Sequence, residues 1–186
     1  MKNNHPWITS GDDYPLTILL AGFNNSIETI EEYYQGLNRL GFSKGNGLQL
    51  LSHILSFSSE NKEIVIERCK HVYEKLKENK LKLYPSFYSS LGLIALLSGD
   101  NDEVIKELID VAIYINSLKK YKWLGKGMNV LLASAIISND YISKQREQNN
   151  LIETTIGLSI ETLIAAQTSA VIAGVTAASV AASTSS

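Results

Sequence analysis

The densest group of chemistry-bearing residues is His5-Pro6-Trp7-Ile8-Thr9-Ser10-Gly11-Asp12-Asp13-Tyr14. One imidazole and two carboxylates supply the donor types that hold a cation or a small ligand. Ser10, Asp12 and Asp13 are equally what a helix start attracts, because free backbone N–H groups and the helix dipole favour oxygen and negative charge there. A second pair, Gln49 and His53, is four residues apart and shares one helix face. On a groove wall His53 serves as base or ligand; in a packed interior it is a histidine hydrogen-bonded in place. His5, Asp12, Asp13, Gln49 and His53 therefore make up the candidate ligand site. It becomes one site only if a cleft brings Asp12 or Asp13 opposite His53.

Other chemistries find little support. His5, His53 and His71 have no metal-ligand spacing on one helix, and Cys69 is the single cysteine, so no zinc site is expected. Gly45-Asn46-Gly47 and Gly125-Lys126-Gly127 show neither a Walker nor a dinucleotide pattern. They read as connections between helices, with anion binding at a helix N-terminus as the alternative. Glu31 and Glu32 are adjacent and point apart, which makes a poor acid–base pair. No catalytic residue is assigned, and no metal or cofactor is called for.

Lysines form two clusters: Lys75, Lys77, Lys80 and Lys82, then Lys119, Lys120, Lys122 and Lys126. Tyr84, Tyr121 and Trp123 interleave with them. In a stack of helices both clusters fall on one edge, and Glu60, Asp100, Asp102 and Glu103 fall on the other. Lys80, Lys82, Lys120 and Lys122 are the candidate contacts to an anionic protein partner. The competing reading is dipole complementation, with cations at helix C-termini and anions at N-termini. The net charge of −2 argues against a dedicated nucleic-acid binder, and no nucleic-acid signature is present.

These side chains need helices to position them. The chain has 186 residues, 45% hydrophobic and 19% charged, with three prolines: one domain's worth of sequence, leaning towards α. Four short apolar runs end at Phe23, Phe57, Leu97 and Ile137, each before a polar turn, at spacings of 34, 40 and 40 residues. Helix-pair repeats have periods of roughly 34 to 47 residues. The spacing predicts short helices at about 12–23, 46–57, 86–98 and 124–138, and long ones at about 26–40, 60–79 and 101–119. Asn25 with Glu28, and Asp100 with Glu103, have capping-box spacing, and Ser10 with Asp13 is a weaker variant. Glycines and Pro85 punctuate the loops. The expected fold is all-α: stacked antiparallel helix pairs in a short α-solenoid-like array, with an Ala-rich C-terminal helix.

Residues 1–161 are expected to form the helical-repeat domain. Residues 162–186 contain no Lys, Arg, Asp or Glu. There Ala166, Ala170, Gly174, Ala178 and Ala182 recur every four positions, a smooth stripe suited to close packing on the domain. A frayed tail and a membrane or self-association helix are the alternatives. Gln167, Thr168 and Ser169 weigh against lipid. A lone thiol in an apolar pattern and an N-terminus without a signal peptide point to the cytoplasm.

The run His5 to Pro15, with Leu19-Leu20-Ala21 behind it, resembles a signature of a bacterial family found mainly in bacilli, the domain of unknown function 4003. Lys44-Gly45-Asn46-Gly47-Leu48-Gln49-Leu50-Leu51-Ser52-His53-Ile54-Leu55 resembles its next block, and the Ala-rich end resembles the family's end. The resemblance implies a longer parent, of which this chain is the C-terminal part or a short member. It implies no activity. It does place His5, Asp12, Asp13, Gln49 and His53 in the two most recognisable blocks.

Overall fold

Apolar faces at helical spacing decide which way each segment turns. A computed structural model describes residues 27–97 and 101–147. Its helices are α1 (Ile27–Arg39), α2 (Asn46–Leu55), α3 (Lys62–Glu78), α4 (Ser89–Ala95), α5 (Asn101–Ser117), α6 (Lys119–Lys122) and α7 (Lys126–Glu147). A 3-10 turn at Pro85–Phe87 leads into α4, and no strand occurs among the described residues. The protein is all-α. Helix α1 buries Ile30, Tyr33, Tyr34 and Leu37, and α3 buries Val65, Cys69, Val72 and Leu76. Helix α5 buries Ile105, Leu108, Ala112 and Ile115. Each set is one stripe of a 3.6-residue period.

The stripes pair the helices. Helix α1 lies against α2, α3 against α4, and α5 against α7. Neighbouring pairs then stack: α2 packs on α4 and α4 on α7, while α1 packs on α3 and α3 on α5. Two rows result, α1, α3, α5 and α2, α4, α7. Phe42, Tyr73 and Tyr88 join the rows, with ring centroids 5.1 to 6.1 Å apart.

Two helices end in the same way. After α1, the N–H of Phe42 donates to the Leu37 carbonyl and that of Gly41 to Asn38. After α3, the N–H of Leu81 donates to Leu76 and that of Lys80 to Lys77. This Schellman closure needs a left-handed residue between helix and exit. Gly41 supplies it at φ 93° without cost, whereas Lys80 is held there at φ 61°. Leu37, Phe42, Leu76 and Leu81 are all buried, so each closure is clamped by an apolar pair.

The glycine-rich connections have a packing reason. A methyl on Gly47 would lie 1.8 Å from the Pro85 carbonyl oxygen, and one on Gly127 would lie 2.4 Å from the Phe87 ring. The starts of α2 and α7 thus press on the 3-10 turn from two helices of the same row.

The structure departs from the expected pattern in three places. The short helix expected at 86–98 is a 3-10 turn followed by α4, and α6 forms at Lys119–Lys122 where a loop was expected. The fourth short helix was expected to stop before Ser138-Asn139-Asp140, yet α7 runs through to Glu147. Those residues lack a glycine or proline to end it. Ser138 and Ile142 are buried, Asp140 pairs with Lys144 at 2.5 Å, and Ser143 Oγ donates to the Asn139 carbonyl, so the turn is held as helix. The first short helix at 12–23, the caps at Ser10, Asn25 and Asp100, the domain boundary at 161 and the Ala-rich helix lie outside the described residues. Among the described residues no helix is long and apolar enough to cross a membrane.

Gly47→Ala should cost about 3 kcal/mol in urea unfolding, since the clash is with backbone and not with a mobile side chain. At the two equivalent helix ends, Gly41→Ala should destabilise and Lys80→Gly should stabilise, each by about 1 kcal/mol. Equal effects of the same sign would show that the left-handed position does not set the cost.

Candidate functional site

Helix α2 carries one half of the candidate ligand site. Gln49 and His53 are both buried, at 8% and 7% exposure. Around them the small polar side chains turn back onto the helix: Ser52 Oγ donates to the Leu48 carbonyl at 2.8 Å, and Ser56 Oγ to the His53 carbonyl at 2.7 Å. His5, Asp12 and Asp13 lie outside the described residues. Among the described residues, no three His, Cys, Asp or Glu side chains gather closely enough to hold a metal ion. Cys69 is fully buried in apolar surroundings, which push its thiol pKa far up and keep it protonated.

One contact links the two lysine clusters. Lys126 Nζ donates to the Lys80 carbonyl at 3.0 Å, so the loop ahead of α7 abuts the end of α3. Leu81 and Leu83 are buried while Lys80, Lys82 and Tyr84 are exposed, an alternation that turns both lysines and the tyrosine outward. On the other side α6 presents Lys119, Lys120 and Lys122 to solvent, and Lys120 Nζ sits 5.6 Å from the centre of the Tyr121 ring. Tyr84 and Trp123 are 69% and 60% exposed. Lys75 is neutralised by Glu78 at 3.1 Å. Among the described residues, Lys77, Lys80, Lys82, Lys119, Lys120 and Lys122 have no ion-pair partner. Two of the acidic residues expected on the opposite edge are paired: Glu60 with Arg68 at 2.6 Å, and Asp102 with His71 at 2.8 Å.

Three features escaped sequence reasoning. Arg68 forks onto both oxygens of Glu60 and also donates to the Ala95 carbonyl at 2.8 Å, joining α3 to the end of α4. This hydrogen-bonded guanidinium holds the Glu60 carboxyl below its usual pKa. Asn61 caps α3, its Oδ1 accepting from the N–H groups of Glu63 and Ile64; an asparagine just ahead of an amphipathic run was the available signal. Tyr33 is 1% exposed, and among the described residues its hydroxyl has no hydrogen-bond partner. Burial, with the nearby carboxylates of Glu60, Glu63 and Glu32 adding to it, pushes its pKa up to about 12.

A family model described as "Protein of unknown function (DUF4003)" matches residues 1–169. The chain belongs to this family. It is 32% identical over 165 residues to the "Uncharacterized protein YeaA" of Bacillus subtilis (strain 168), an alignment that covers 87% of this chain and 48% of that relative. The chain spans about half the length of the curated relative it matches. No solved structure matches it. The DUF4003 match takes in Gln49, His53 and both lysine loops.

Tyr33 makes the stability of this DUF4003 protein depend on alkaline pH. Above pH 10 the unfolded chain releases the phenol proton, while the folded chain keeps it until about 12. The contribution is complete below pH 10 and falls away between 10 and 12, by about 1.4 kcal/mol per unit. Tyr33→Phe should flatten that part of the profile in urea titrations at pH 9 to 12. At pH 7 it should be neutral or stabilising, because the hydroxyl it removes has no partner. A clear loss of stability at pH 7 would mean that the hydroxyl is satisfied after all.

Proposed function

We propose that this DUF4003 protein is a non-catalytic interaction module that holds an anionic protein partner on the edge formed by Lys80, Lys82, Lys120 and Lys122. The supporting observation is the exposed pair Tyr84 and Trp123 set among lysines that form no ion pair with the described carboxylates. Helix dipoles account for Lys75 and Lys77 in the last turn of α3. They do not account for Lys80 and Lys82, which lie beyond that helix, nor for two large aromatic side chains left in water. Exposed aromatic groups beside cations are typical of residues that anchor an interface. A reduced Cys69 suits a cytoplasmic setting.

Trp123 supplies the readout. In a Trp7→Phe background, titration with a glutamate-rich peptide should change the tryptophan fluorescence. Binding should weaken as salt rises, because exposed charges are screened over about 10 Å near 0.1 M. Lys120→Glu with Lys122→Glu should weaken it at least about tenfold and leave the thermal midpoint nearly unchanged. Affinity indifferent to salt and to both reversals would remove the function and leave the lysines at the helix ends as dipole partners only.

A further inference from the structure

A second surface lies away from the basic edge. Helices α1 and α3 leave an open groove of about 750 Å3 between them. Its apolar lining is Leu40 and Ile66, both half-buried against the core, and Ile27, which is 57% exposed. Its charged lining is five carboxylates against two cations, Arg39 and Lys62. Lys62 is bound to Glu32 across the groove. Among the described residues, Glu28, Glu63 and Glu67 form no ion pair, and Lys62, held by Glu32, is the cation whose field reaches Glu28 and Glu63.

The spacing gives the groove a direction. Glu28, Glu31, Glu32 and Gln35 follow one face of α1, and Glu63 and Glu67 are one turn apart on α3. Carboxylates therefore line each wall for about one turn, with apolar side chains between them. The complementary shape is a helix with an apolar stripe flanked by cations. A groove of this volume receives one face of such a helix and leaves the other in solvent. Nucleic acid is repelled by the carboxylates. A second copy of this chain is a poor occupant, because its densest cationic segment sits on α6, a helix of four residues.

We propose that the α1–α3 groove docks a basic amphipathic helix of a partner protein, with its apolar stripe on Ile66 and Leu40 and its Lys or Arg side chains against Glu28, Glu63 and Glu67. Charge complementarity selects the partner, and the apolar lining selects its conformation. This surface is independent of the lysine edge.

The test uses the full chain and two fluorescein-labelled 18-residue peptides of leucine and lysine. One places leucine at i, i+3, i+4 and i+7; the other permutes the same residues so that no stripe forms. Fluorescence anisotropy should show the striped peptide binding at least about tenfold more tightly. Glu63→Lys with Glu67→Lys should weaken it by a similar factor, and Glu28→Lys with Glu67→Lys should do the same through both walls. All three positions are exposed, so circular dichroism should show the fold unchanged. Lys120→Glu with Lys122→Glu should leave striped-peptide binding no weaker, which separates this site from the basic edge. Equal binding of both peptides, or unchanged binding by the glutamate reversals, would overturn the proposal. So would sedimentation showing a dimer that the same reversals dissociate, since a second copy would then fill the groove.

Discussion

The seven residues of α4, Ser89–Ala95, are all buried, and the rest of the described structure is arranged around that fact. A helix buried all round must satisfy its polar groups internally or through its neighbours. Ser90 Oγ does so on the Phe87 carbonyl at 2.7 Å. Gly92 lets α2 approach closely, since a methyl there would meet Ile54 at 2.7 Å. Leu91, Leu93 and Ile94 are buried almost completely, and each such burial is worth roughly 1.5 to 3 kcal/mol. Helices α2, α3 and α7 all pack on α4, so one short segment joins both rows.

The far end of α4 is secured by charge. Its Ala95 carbonyl receives Arg68, which Glu60 holds in a two-pronged pair. A cation at a helix C-terminus is favourable, and the planar guanidinium meets carboxylate and carbonyl together in a way a lysine ammonium does not. The same pair explains why Glu60 is not a free surface anion.

With the small net charge of −2, the surface is nonetheless segregated. Lysines and exposed aromatic side chains gather where the ends of α3 and α6 meet the start of α7, while glutamates line the groove between α1 and α3.

Much of this was legible in the sequence because helical spacing is local. The apolar stripes of α3 and α5 and most of that of α1, the starts of α2 and α5 within a residue or two, and the two lysine clusters follow from residue types a few positions apart; Ile27 has the spacing of the α1 stripe but is exposed. The end of α7 was not legible: Ser138, Asn139 and Asp140 have the composition of a turn, and the burial of Ser138 and Ile142, with the Asp140–Lys144 pair, keeps them helical. Gly47 and Gly127 were readable as breakers, but the requirement for glycine comes from Pro85 and Phe87, some 40 residues away. The sequence by itself determined the helical class and most of the buried face of α1, α3 and α5. Tertiary packing alone decided the contact of Lys126 with Lys80, the reach of Arg68 to Ala95 and the pairing of Glu32 on α1 with Lys62 on α3. Those depend on which helices become neighbours, and that is settled by how buried side chains fit together in three dimensions, not by the order of residues along any one helix.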